Sequence, residues 1–504
     1  MHHWLRSVGQ ILNGHKPARK AAYRRLNLEA LESRCLLDAN VLQTNLVSDL
    51  PGVAQHLDPQ LVNPWGIAES GGSPFWISDN NAGVSTLYKT TGDKQGLVVS
   101  IPSPGDPLGA SGTPTGTVFN TGLSTGAFMV SGVDKTGAPA SGPAIFLFAT
   151  EDGTLVGWNP GVNPPGFDPA KAGTYGIIAV DNSANPTAAD GAVYKGLAIA
   201  TSTTGPIFPF DPASTSVLYA ANFRSGQVEV YDTNFKPVTT FTDTQVPTGY
   251  APFDVQVLGG KLYVTFALQD ADKHDDVAGW GHGFVDVFNL DGSPGLNGGQ
   301  ERLITRGRLN SPWGLAIAPA SFGSLAGALL VGNFGDGRIN AYKASNGALL
   351  RNLRDPDGEP IVIDGLWALK VGNGGNGGDA NKVYFTAGIF GERHGLFGSL
   401  TPVAKGSPEG PAEAQFAQGA IDVVQMDLTT LQNDISSRAS QDTINQDAQT
   451  LNDDVRQLAR IEIALARDVQ NDLGGGTLVR SHAKGSQGAA LLALDKLWAD
   501  LGRL

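Results

Sequence analysis

The chain has 504 residues, 41% of them hydrophobic, with 66 glycines, 30 prolines and a formal net charge of -13. That length exceeds one ordinary core, and so much glycine and proline beside an ample apolar fraction favours short strands and tight turns over disorder. The acidic balance argues against nucleic acid as a partner, the single cysteine rules out disulfides within the chain and thiolate metal clusters, and no apolar run approaches the ~20 residues of a membrane-spanning helix.

Residues 1–40 carry Arg6, Lys16, Arg19, Lys20, Arg24, Arg25 and Arg34 against Glu29, Glu32 and Asp38, a local basic excess in an acidic protein. This is expected to be a targeting or leader segment. Its end, LNLEALESRCLLDAN, resembles the LExRxLLxA sorting signature of planctomycete-type surface and secreted proteins, matched by Leu31, Glu32, Arg34, Leu36, Leu37 and Ala39. The resemblance implies an extracellular or cell-surface location. The plainer reading is a basic arm or a short amphipathic helix.

Residues 41–400 repeat themselves. NPWGIAES at 63 returns as SPWGLAIAP at 311, and the positions Gly66, Gly116, Gly196, Asp254, Gly314 and Ala368 mark six units spaced 50 to 80 residues apart. Each unit reads as apolar strand, turn, apolar strand, Asn/Asp/Gly turn, alternating strand ending in an aromatic, and a further turn. One unit cannot bury both faces of its sheet, whereas six arranged radially can, so the expected fold is an all-β six-bladed β-propeller. The strand-like VLQTNLVSD at 41–49 precedes the first full unit and is expected to supply the outer strand of the last blade, closing the ring.

Residues 401–419 form a Pro/Gly/Ala stretch expected to be a linker, and 420–504 an α-helical tail. Ile421, Val424, Leu428, Leu431 and Ile435, then Leu451, Val455, Leu458, Ile461 and Leu465, recur at helical spacing and predict an antiparallel pair that stands apart from the propeller. GAALLALDKLWADLGRL predicts a third, short helix. Such a small bundle is either a simple seam or a surface that docks a partner.

The loops joining second to third strands and those joining consecutive blades leave a propeller on one face. Asp79, Asn222 and Asn333 each fall nine residues before the aromatic that ends a third strand, and Glu151, His282, Glu392 and His394 occupy the corresponding loops of other blades. From the inter-blade side come Asn63, Lys195, Asn310 and Asp364. Oxygen donors such as Glu151, Asn222 and Asn333 suit a divalent cation such as calcium, while His282 and His394 would serve a transition metal. Against this, Asn and Asp in turns commonly bond their own backbone and need no ligand. The long acidic loop QDADKHDDVAGWGHG at 269–283 and the glycine run GNGGNGGDAN at 372–381 admit the same plain reading as solvated loops. Trp65, Trp313 and Trp367 lie in the repeat phrase and are expected to pack blades.

The repeat phrases resemble those of NHL-type six-bladed propellers. Over about residues 45–399, the phrases NPWGIA, ATEDG, VYKGLA, LLVGNFGDG and HGLFG resemble an uncharacterised family of bacterial secreted propellers. Two functions stand open. The first is an exported binding or scaffold module for a small molecule or protein. The second is a metal-dependent hydrolase or lyase like the six-bladed lactonases, with its cation at the channel mouth.

Overall fold

A computed structural model of the chain describes residues 40–408 and 410–472, the last eleven as backbone alone. The leader and the third tail helix expected from the sequence lie outside the described residues.

Six sheets follow one another along the chain, five of them antiparallel and four-stranded and the last extended to a fifth strand by His56–Leu57, which pairs parallel with Asn40–Ser48. The innermost strand of each opens on the repeat phrase: Pro64–Ala68, Pro114–Phe119, Tyr194–Thr201, Tyr250–Leu258, Pro312–Ile317 and Leu366–Val371. These strands crowd round the axis, and the repeated glycine is what lets them approach. A Cβ on Gly66 would lie 2.6 Å from the Thr115 carbonyl oxygen of the next blade, and one on Gly314 would lie 2.4 Å from that of Trp367. Aromatic and β-branched residues of the middle strands fill the wedges between blades. Between blades one and two, Trp76 stacks on Phe146 with ring centroids 4.0 Å apart.

The wide spacing between Gly116 and Gly196 has a simple origin. A two-stranded hairpin, Met129–Val133 with Pro139–Pro143, is inserted between the first two strands of blade two.

Closure follows the expected route. Strand Asn40–Ser48 pairs antiparallel with Leu396–Val403, from Asn40 opposite Val403 to Ser48 opposite Leu396, with a bulge between Asn45 and Val47. It is the fourth strand of blade six and covers an otherwise free edge.

The tail departs from the expectation. Helix α1 (Ala412–Ser437) starts inside the stretch read as a linker, and helix α2 (Gln441–Asp472) follows a tight turn in which Arg438 takes a left-handed φ of 58°. The helices are antiparallel, with Asp427 meeting Asp454 and Asp434 meeting Asp447. They do not stand apart from the propeller. Ala414, Ala417, Ala420, Ile421 and Val424 of α1 and Leu458 of α2 share one core with Val41, Val53 and Phe390, and Phe416 stacks on Phe390 at 5.1 Å. The cause is the small-residue face at the start of α1, which brings the helix close to the sheet. Alanine is the best helix former, so a stretch that reads as linker by composition becomes the docking turn.

Candidate functional site

The residues just before the six repeat positions are Trp65, Thr115, Lys195, Phe253, Trp313 and Trp367. Five of them meet on the axis. Trp65 stacks on Trp367 at 3.5 Å, both touch Trp313 edge-on, and Phe253 and Phe334 lie against Trp367. The tryptophans therefore do more than pack neighbouring blades: they plug the channel. Two indole N–H groups also tie the plug to its surroundings, Trp313 donating to the Lys195 carbonyl at 3.1 Å and Trp367 to Asn63 Oδ1 at 3.0 Å.

Lys195 stands on this plug. Its side chain is 2% exposed, and Nζ lies 5.2 Å from the centre of the Trp65 ring. The ammonium pairs with Glu151 from blade two and, at 3.0 Å, with Asp275 from the long loop of blade four. Asn80 of blade one donates to the other Glu151 oxygen at 2.8 Å, and His274 bonds Asp275 at 2.9 Å. Glu392 of blade six accepts from Asn63 at 2.9 Å. Loops of five blades thus converge on one mouth.

The charges there are mutually dependent. Burial pulls the Lys195 ammonium down, but Glu151 and Asp275 outweigh it and the net shift is upward. The His274 hydrogen bond, opposed by burial and aided by Lys195, holds Asp275 well below the usual carboxylate range. Burial raises Glu392 to about 7 despite the Asn63 bond, and Asp276 to about 6. The two carboxylates thus favour the charged form of Lys195 against the cost of its burial.

Glu151, His274 and Asp275 could each offer one ligand atom within 4.8 Å of the others. They are the residues that suit a metal best at this mouth. The lysine ammonium, however, already sits on both carboxylates. A divalent cation would have to displace it or stand beside another positive charge in a poorly solvated site.

The remaining sequence candidates are placed elsewhere. Asp79 is fully buried, accepts from the backbone N–H and, at 2.6 Å, the hydroxyl of Thr86, and is driven well up by burial. Asn222 donates to Glu229 at 2.7 Å and accepts from the Ser225 N–H. Asn333 donates to the Arg308 carbonyl and to Asp336, and Asn340 reaches that same carbonyl. In blades one and three the Asp or Asn is thus strapped to a polar partner seven residues on, Thr86 or Glu229, whereas in blade five Asn333 and Asn340 share the Arg308 carbonyl as acceptor. His282 bonds the Val277 carbonyl at 2.8 Å, Asn310 accepts from the Gly279 N–H at 2.6 Å, and both hold the long loop in shape. His394 turns to Asp49 at 2.7 Å. Asp364 accepts from the Phe390 N–H and from Gln457 of α2, each at 2.7 Å, away from the channel. The glycine run at 372–381 is docked on blade one, where Asn373 and Asn376 donate to the Ser70 and Gly72 carbonyls.

Asn80 and the pairing of Asp275 with Lys195 were not singled out by the sequence. Asn80 adjoins a marked position, but only the turn geometry decides that it, and not Asp79, faces the axis.

No family model matches the chain. It is similar to "Uncharacterized protein R648" of Acanthamoeba polyphaga mimivirus, 32% identical over 362 residues that cover 70% of this chain and 78% of that protein. A second mimivirus protein, "Uncharacterized protein L690", is 32% identical over 362 residues, covering 70% and 84%. Among solved structures, the soluble aldose sugar dehydrogenase of Escherichia coli aligns over 72% of this chain and 100% of its own at 11% identity and a TM-score of 0.42, a likeness too distant to bear on activity. The relatives named here are viral, so the match does not carry the bacterial and secreted character that the sequence phrases suggested. This six-bladed propeller belongs to the family of the mimivirus proteins R648 and L690.

Proposed function

We propose that the protein is an exported β-propeller, extracellular or at a cell surface, that acts as a binding or scaffold module. The observation that carries this reading is Lys195. The axial position beneath the mouth is held by a lysine ammonium on an aromatic plug, and that ammonium already compensates the Glu151 and Asp275 carboxylates. The blade-four loop is pinned over the axis by the same ion pair. What remains for contact is a rigid rim of loops, suited to a polar small molecule or a protein surface. Export rests on the basic leader and its LExRxLLxA match. The runner-up, a metal-dependent hydrolase or lyase, would use Glu151, His274 and Asp275 and needs the ammonium displaced. Elemental analysis of tag-free protein dialysed against calcium, magnesium and zinc in turn separates the two. The module reading expects far less than one equivalent of each. One equivalent retained in the wild type and lost in Glu151→Gln would overturn it.

A further inference from the structure

A second polar site lies on the flank of the disc, in the wedge between blades two and three. A cleft of about 340 Å³ opens there, lined among others by Asn182, Asn185, Glu229, Tyr231, Phe235 and Thr240. That volume lies at the small end of the range for small-molecule sites. Its floor is a closed hydrogen-bond network. Tyr194 and Tyr231 both donate to Glu229 Oε2, at 2.7 and 2.6 Å, Asn222 donates to Oε1 at 2.7 Å, and Asn182 donates to both tyrosine hydroxyls at 2.8 Å.

The comparison with blades one and five is informative. Thr86 and Asn340, which hold the place of Glu229 in blades one and five, are buried, whereas Glu229 is half-buried and faces the cleft. Two tyrosines and an asparagine thus fix a carboxylate at the wall of an open wedge. Oε2 already accepts twice and Oε1 once, so one acceptor position of Oε1 stays free, because a carboxylate oxygen accepts about two hydrogen bonds. Asn182, Asn185 and Thr240 line the same cleft as its other polar residues, with Phe235 and Pro237 among its apolar ones. No Lys or Arg is among the residues lining the cleft, which disfavours an anion.

We propose that this inter-blade cleft binds a neutral polyhydroxylated ligand, a single sugar ring. Sugar hydroxyls both donate and accept, which matches the fixed acceptor on Glu229 beside ambivalent amides and a hydroxyl, while the ring's C–H face suits Phe235 and Pro237. The site is separate from the channel mouth, so its fate does not decide that of the mouth.

The test is saturation-transfer NMR on the full chain with glucose, galactose, mannose and N-acetylglucosamine, each at millimolar concentration, with choline as a cationic control. At least one sugar is expected to give signal. Thr240→Arg fills the cleft from an exposed position without disturbing the blade, and should weaken that binding at least tenfold. Glu229→Gln should weaken it by a smaller factor; if that variant does not fold, Asn185→Trp replaces it as a second blocking change. Absence of signal from all four sugars, signal indifferent to Thr240→Arg, or choline binding in place of the sugars would each overturn the proposal.

Discussion

At the channel mouth Lys195 holds Glu151 and Asp275, and at the seam between blade six and the helices Arg393 holds Asp427 and Asp454. Each cluster is one cation facing two carboxylates, yet the Lys195 side chain is 2% exposed and that of Arg393 is 36% exposed. The difference in burial decides what each cluster does. A buried pair is held because breaking it strands a charge, whereas a half-exposed pair is shared with water and screened by salt. The Lys195–Glu151 pair is therefore a fixed structural seal, with the 66% exposed Asp275 as its solvated outer partner, and the helical seam an adjustable contact backed by the apolar face of α1.

The largest expected effect is at Lys195. Lys195→Met leaves Glu151 without its cation and should lower the urea-unfolding free energy of the ring by about 3–5 kcal/mol. Adding Glu151→Gln and Asp275→Asn should return much of it; a single variant as stable as wild type would show that the seal is not structural. A smaller loss is expected at Arg393. Arg393→Ala should cost about 1 kcal/mol and raise hydrogen exchange in α2 while leaving the blades protected, and 1 M salt should reproduce part of that effect in the wild type but leave the mouth unchanged.

The pH response sharpens the contrast further. Glu392 at about 7 and Asp276 at about 6 lie above their ordinary values because of burial, so the folded state binds more protons than the unfolded chain between roughly pH 4 and 7. Stability from these groups is then greatest at the acidic end and declines as pH rises through 7. His274, raised chiefly by the Asp275 hydrogen bond, acts in the same direction. The melting temperature should be higher at pH 6 than at pH 8, and Glu392→Gln should flatten the difference; an unchanged slope would remove Glu392 as its source. The smallest effect is at Asn80, where Asn80→Ala removes one hydrogen bond to Glu151 and should cost about 0.5 kcal/mol.

Several of these features were readable before the fold. The P-x-G phrase was legible because the crowded inner strand takes glycine at four of the six repeat positions, and the orphan strand at 41–49 because its alternation needed a sheet. The Asn/Asp register was legible as a repeat but not in its role. In two blades its partner lies seven residues on, and only the paired strands reveal that Thr86 and Glu229 complete a strap. Lys195 stood among the mouth residues, but its axial place depends on ring closure, which no local pattern encodes. One loop rule singled out Asp364, His394 and Glu392 together, yet Glu392 bonds Asn63 while Asp364 and His394 serve the helices and the strand that joins blade six from the start of the chain.

That joining strand has a consequence for how the molecule is made. The Ser48 hydroxyl bonds the Gly395 carbonyl 347 positions away, so the first strand of the described residues finds its partner only when the last strand of the ring has been made. Until then five blades and most of a sixth form an open arc whose terminal edge is unpaired, and long-range closure of this kind is slow. During that interval the nascent arc exposes a hydrogen-bonding edge to any other extended segment, including the same strand of a neighbouring chain. Synthesis of residues 396–403 is thus what makes pairing with Asn40–Ser48, and so closure of the ring, possible.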